Sequence, residues 1–326
     1  MFHDIGRLLL GDIRELAWIM FRESAKTSIA KTLVVYLIVT EKRRYINVDS
    51  FDKGNAESIL FDVSDALMNN RKIVQDFGQL FTKRYTEELT MRRLTKFITH
   101  NKIMVEAHST QESLRGRLFR DQRPDFFLID DFETNKTKDS KAYIEQVQKH
   151  IDELATGMAP DAAILYLGNY ITEYGVVKRL MDRAKQDPRL VIHNVPVIDE
   201  AGAVTWPAKY ALTDKEAART GKVSLEDKKR QVGTVVFSAE MLNQPIDRET
   251  AIFKGEFFRY RSFEELDSKR KRAWLTIDSK GTDAKLAGTD YIGLTLNFVD
   301  AENNWNLMSY RLRLSTAELV DLMFSW

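Results

Sequence analysis

The apolar run Leu16-Ala17-Trp18-Ile19-Met20-Phe21 passes without a break into Arg22-Glu23-Ser24-Ala25-Lys26-Thr27-Ser28 and then into an amphipathic segment. This stretch constrains the fold more than any other, because it reads as a buried strand, a tight loop and the first turn of a helix. A strand feeding a helix in this way belongs to a sheet wrapped by helices. Chemically the turn suits phosphate. A helix N-terminus offers unpaired backbone N–H groups and a partial positive charge, Lys26 adds a full charge, and Thr27 can place a hydroxyl on Mg²⁺. The plain alternative is a solvated helix cap.

The following residues repeat the pattern. Ser28 to Val39 reads as the helix after that turn and Tyr45 to Ser50 as a second strand. From Gly54 to Asn69, Ala56, Ile59, Leu60, Val63 and Leu67 recur at the helical period. The result is β-α-β-α, the opening of a parallel sheet. Leu94 to Ala107 reads as two short strands about His100-Asn101, an antiparallel insertion. Phe126-Phe127-Leu128-Ile129 then runs into Asp130-Asp131-Phe132-Glu133, a buried strand delivering carboxylates at the sheet's C-terminal edge, where ligands bind in open α/β sheets. Ser140 to Leu154 reads as a helix, Ala162 to Leu167 as a buried strand ending at Gly168-Asn169, and Val191 to Val197 as a further strand.

Against the phosphate-binding P-loop pattern, two positions differ: Met20 and Ala25 stand where glycines are expected. A Cβ in a left-handed loop position costs roughly 1–2 kcal/mol, so the loop is expected to bend differently or to bind nucleotide less tightly. Lys26 with Thr27, and Asp130 with its neighbours, form the two halves of a nucleotide-hydrolysis site. The strand-end acid holds Mg²⁺ through the Thr hydroxyl or water, and an adjacent acid polarises the attacking water. The bland reading of Asp130-Asp131 is a solvated strand end.

Composition sets limits on function. At 326 residues the chain suggests two units, and 44% hydrophobic residues supply a sizeable core. A net charge of +1 drives no global attraction to nucleic acid or membrane, so any DNA contact is local. The absence of cysteine removes disulfides, thiolate nucleophiles and Cys-based zinc sites. His3, His100, His108, His150 and His193 fall at no ligand spacing. The longest apolar run, Leu33 to Val39, is far below the ~20 residues of a membrane span, and no signal peptide is expected at the amino terminus.

The segment 201–233 is polar, charged and without period, so a flexible excursion is expected there, and Phe237 to Pro245 closes the first unit. The expected organisation is an ATPase domain over 1–250, a linker over 251–272 ending in Lys269-Arg270-Lys271-Arg272, and a second domain over 273–326. The linker cations can meet DNA phosphates or simply face solvent. The second domain reads as three strands, from Ala273 to Asp278, Tyr291 to Val299 and Trp305 to Leu312. They form a meander, followed by a capping box, Ser315-Thr316-Ala317-Glu318, opening a last helix.

Several of these segments together resemble the large terminase subunit of tailed bacteriophages. They are Phe21 to Ser28, Ser113-Leu114-Arg115-Gly116, Arg123-Pro124-Asp125 leading into Leu128 to Glu133, Glu240-Met241-Leu242-Asn243-Gln244-Pro245, and Thr276-Ile277-Asp278 followed by Thr289-Asp290-Tyr291-Ile292-Gly293. The resemblance spans nearly the whole chain, in order. It implies an α/β fold, a P-loop NTPase parallel sheet with flanking helices followed by a partial RNase H-like domain, acting as a motor that pumps double-stranded DNA into a procapsid. Arg22 resembles the arginine of the family's phosphate loop, which extends over Glu23, Ser24, Ala25, Lys26, Thr27 and Ser28. Asp130 resembles its metal-binding acid. The catalytic glutamate is replaced by Asp131, so water activation falls to Asp131 or to Glu133. Gly168-Asn169 resembles the motif that couples hydrolysis to motion. Arg115 is the candidate for an arginine presented to a neighbouring subunit's nucleotide, or for a DNA phosphate contact.

The implied cofactors are ATP and Mg²⁺. The implied partners are DNA, the portal protein, the small terminase subunit and further copies in a ring, with no membrane, in the cytoplasm of the infected bacterial host and outside the mature virion. Two-metal DNA cleavage needs carboxylates converging from several strands. Asp278 matches the first of these, with Mg²⁺ or Mn²⁺ as its metal once the site is completed. Asp283 and Asp290 read as turn residues. The next strand of that fold lies beyond the last helix, so a truncated or split nuclease is expected, without cleavage by this chain alone. The competing readings are a non-catalytic fragment acting only in assembly and a helicase-like nucleic-acid ATPase.

Overall fold

The computed structural model describes residues 2–81, 95–112, 116–134, 140–173, 175–245, 270–278, 292–300, 305–312 and 316–324. The chain divides into two compact units, Met1–Ile252 and Phe253–Trp326.

The first unit opens with α1 (Phe2–Leu10) and continues through β1 (Glu15–Met20), α2 (Lys26–Val39), β2 (Tyr45–Ser50), α3 (Lys53–Asn69), α4 (Arg71–Phe77), β3 (Lys96–Ile98), β4 (Met104–Ser109) and β5 (Phe126–Asp130). After these come α5 (Lys141–Gly157), β6 (Ala163–Gly168), α6 (Val176–Ala184) and β7 (Leu190–Val195). The seven strands form one sheet in the order β3-β4-β2-β5-β6-β1-β7, parallel except for β3. Strands β5 and β6 are buried along their whole length, as expected of strands covered on both faces.

One face packs Trp18, Ile46, Val48 and Leu128 against Leu8, Val34, Leu37, Leu60 and Val63 of α1, α2 and α3. The other packs Ala17, Ile19, Phe127, Ile129 and Tyr166 against Val147, Ile151 and Leu154 of α5 and Val177 and Leu180 of α6. The strand expected to Val197 stops at Val195, before Pro196, which has no N–H to give a ladder. The two strands about His100-Asn101 are antiparallel, but β4 also pairs in parallel with β2, so the insertion extends the main sheet. Among the described residues no helix is long and apolar enough to cross a membrane.

The polar segment 201–233 folds into defined elements where a flexible excursion was expected. β8 (Tyr210–Ala211), α7 (Asp214–Thr220), β9 (Val223–Ser224) and α8 (Leu225–Val232) precede α9 (Thr234–Met241). Sparse apolar residues suffice, because Tyr210 and Leu225 join Phe21, Val197, Phe237 and Met241 in one cluster. Local capping supplies the helix ends. Thr213 accepts from Glu216 N while Glu216 accepts from Leu212 N, and Gly221 closes α7 in the left-handed conformation.

The second unit contains β10 (Arg270–Asp278), β11 (Ile292–Asp300) and β12 (Trp305–Leu312), an antiparallel meander, and α10 (Thr316–Phe324). Leu319 and Leu322 of α10 pack with Leu275, Ile277, Leu294 and Leu312. Arg270 to Arg272 lie in β10, so these cations begin a strand and do not end a linker. Lys269, Asp283, Asp290 and Ser315 lie outside the described residues.

Candidate functional site

The strand order decides what meets at the C-terminal edge of the sheet. β6 lies between β1 and β5, so the turn after β1, the end of β6 and the end of β5 are neighbours there. They line a cavity of about 620 Å³, bounded by Arg22, Glu23, Ser24, Ala25, Lys26, Thr27 and Ser28 on one side. Asp131, Glu133, Thr134, Asn169 and Ile171 form another wall, and Phe51, Asp52, Asn55 and Glu240 complete it.

The start of α2 offers groups that suit an anion. α2 begins behind Ala25 with no side chain capping its first turn, whereas Asp52, Asn70, Ser140, Thr213 and Ser224 cap their helices locally. The first amide to bond backwards is that of Ile29, to Ala25 O at 3.0 Å. The amides of Lys26, Thr27 and Ser28 therefore have no acceptor inside the helix. Of the two missing glycines, only one is felt. Met20 simply ends the strand, while Ala25 is left-handed at φ 65°, as is Glu23 at φ 66°.

Lys26 is buried, and burial pulls its pKa below the usual lysine range, against the opposing charges of Asp131 and Asp130. Its Nζ donates to Asn169 Oδ1 at 2.9 Å and to Met20 O at 3.4 Å. Asn169 in turn donates through Nδ2 to Met20 O and Glu240 O, at 2.9 and 3.1 Å. Arg22 closes the same corner, with N to Glu240 O at 2.8 Å and its guanidinium to Glu240 Oε2 at 2.9 Å. Asn243, itself left-handed, donates to Ile19 O and Val195 O and so ties the end of α9 to β1 and β7.

Thr27 Oγ1 donates to Asp130 Oδ2 at 3.0 Å. Asp130 sits behind that hydroxyl, and its Oδ1 is buried without a partner among the described residues, as is Ser24 Oγ. Burial raises the Asp130 carboxyl to about 7, with the charge of Asp131 adding to the effect and the Thr27 hydrogen bond opposing it. A buried carboxylate oxygen without a donor, next to a hydroxyl already on its twin, is a donor set that fits a hard divalent cation. Asp131 is exposed and left-handed at φ 46°, its amide fixed to Leu167 O at 3.1 Å.

Glu133 is placed differently. It is buried, and its carboxylate accepts from Val176 N and from Val177 N, capping α6 from 43 residues upstream. Burial raises its pKa to about 7 against those two amides. Gly175 makes this possible, since a Cβ there would fall on the Glu133 carboxylate.

The structure therefore gathers Arg22 to Ser28, Asp130, Asp131, Glu133 and Asn169 in one place, with Gly168 at the end of β6 just behind Asn169. It does not gather the rest. Arg115 lies outside the described residues, and Asp278 ends β10 in the second unit, paired with Gly293. Among the described residues no three His, Asp or Glu side chains cluster as a metal site. Phe51, Asp52 and Asn55 were missed from sequence. Their only signal is position, just past the end of the strand Tyr45 to Ser50 at the ligand-binding edge.

No protein-family model matches the chain, and no curated protein matches it. Among solved structures it is similar to the HK97 bacteriophage large terminase, with 12% identity and a TM-score of 0.44, over 98% of this chain and 64% of that one. It thus spans less than two thirds of that protein. The Thermus phage P74-26 large terminase ATPase domain matches at 12% identity and a TM-score of 0.43, over 72% of this chain and 89% of that one. The Phi-28 gp11 DNA packaging motor matches at 12% identity and a TM-score of 0.42, over 94% and 79%.

Proposed function

We propose that this chain is a nucleotide-hydrolysing motor subunit of the terminase type, an ATPase that drives double-stranded DNA into a viral procapsid. The observation that carries the reading is the Thr27–Asp130 hydrogen bond beside the buried Lys26, at the wall of a cavity that an uncapped helix N-terminus faces. Lys26 and the amides of the α2 first turn hold the terminal phosphates, and Arg22 and Ser28 flank them. Thr27 and Asp130 hold Mg²⁺, which when bound neutralises charge developing on the phosphate oxygens.

Asp131 orients and polarises the attacking water, because it faces the cavity while the Glu133 carboxylate is engaged by the amides of α6. Asn169 senses the phosphates through Lys26 and passes movement to α9 through Glu240. Work on DNA follows from assembly: a ring of copies on the portal, with the small subunit, in the host cytoplasm, and Arg115 offered to a neighbour's nucleotide. The second unit supplies part of an RNase H-like nuclease around Asp278.

The purified chain is assayed for Mg²⁺-dependent ATP turnover with DNA or portal added. Lys26→Ala and Asp130→Asn are each expected to reduce turnover by roughly 10²-fold or more. Turnover that neither substitution changes sinks the assignment. A folded chain with no turnover under any of these conditions favours the non-catalytic assembly role, for which the strained Ala25 is the motivating observation.

A further inference from the structure

Glu23 stands in the wall of the cavity, in the loop that the reading above assigns to phosphate. A carboxylate at that position repels an incoming polyanion, and a left-handed non-glycine residue there is strained. Both problems meet the same answer. Lys228 Nζ donates to Glu23 Oε1 at 2.5 Å, and the Tyr210 hydroxyl donates to Oε2 at 3.0 Å. Lys209 Nζ reaches Oε2 at 3.4 Å and the Glu23 carbonyl at 3.1 Å.

Lys228, followed by Tyr210 and Lys209, holds the carboxyl below the usual glutamate range against a partial burial that pushes it up. Lys209 is itself held over the rings of Trp206 and Tyr210, 5.1 and 5.0 Å from their centroids. Tyr210 meets Phe21, at the root of the loop, edge to face at 5.9 Å. All three donors come from the polar segment 201–233, and none belongs to the seven-stranded sheet.

We propose that Lys209, Tyr210 and Lys228 are positioning residues for nucleotide binding: they draw Glu23 out of the path of the triphosphate and fix the loop in its left-handed turns. The proposal rests on the ATPase reading. It makes the lysines counter-charges to Glu23, not phosphate ligands, and a double substitution separates these roles.

Affinity of the full chain for a fluorescent ATP analogue is measured with Mg²⁺, together with KM and kcat for ATP. Lys228→Met is expected to weaken binding and raise KM about tenfold, with kcat within about threefold, and Lys228→Arg to retain affinity. Tyr210→Phe keeps the packing on Phe21, removes one donor, and is expected to weaken binding about threefold. In Glu23→Gln/Lys228→Met the carboxylate needing restraint is gone, so affinity is expected within about threefold of Glu23→Gln alone. Unchanged affinity in Lys228→Met overturns the proposal. So does a double variant that binds tenfold worse than Glu23→Gln, which makes Lys228 a direct phosphate contact. A wild-type chain that binds no nucleotide removes the ATPase reading itself, a failure visible before any variant is made.

Discussion

At the scale of single residues, the site stores its strain where side chains replace glycine. Ala25 at φ 65° lacks the freedom that its position asks for, so Ala25→Gly is expected to stabilise the folded chain by about 1 kcal/mol in urea unfolding and to tighten Mg-ATP binding. A variant no more stable than wild type would count against the left-handed turn. Glu133 makes a second prediction. Its folded pKa of about 7 lies above the ordinary 4.5, so its contribution is present in full below about 4.5 and is lost as pH rises through 7. Glu133→Gln cannot ionise. Wild type is therefore expected to lose up to about 3 kcal/mol relative to that variant between pH 4.5 and pH 8, read from unfolding curves at the two values. Parallel pH profiles would show that the carboxyl titrates normally.

At the scale of elements, helix ends divide the labour. α3, α4, α5, α7 and α8 are capped by their own Asp, Asn, Ser or Thr, and those signals are local enough to read in sequence, as with Thr213 and Glu216. α2 has no such cap and faces the cavity. α6 borrows one from Glu133, with Gly175 as the only residue that fits beneath the carboxylate. Gly175→Ala is expected to destabilise the chain by on the order of 2 kcal/mol, and by clearly less in a Glu133→Ala background, because the Cβ then meets no carboxylate. Equal costs in both backgrounds would place the clash elsewhere.

At the scale of the molecule, every described residue lining the cavity belongs to the first compact unit. A chain ending at Ile252 is therefore expected to show the same rise in Tm with saturating Mg-ATP as the full chain. A rise confined to the full chain would place part of the nucleotide site in Phe253–Trp326. The sequence alone determined the alternation of strands and helices, the strand Phe126 to Asp130 that ends in acids, and the lysine turn after Met20. These follow from the spacing of apolar residues along a few consecutive turns or pleats, which a chain carries locally. Only the tertiary structure decided that β6 lies between β1 and β5 and so sets Asn169 on Lys26. Parallel crossovers fix a strand's direction and its apolar faces but leave the choice of neighbour to packing. The same holds for Glu133 beneath Gly175, and for Lys228 on Glu23 across 205 positions, which no local pattern links.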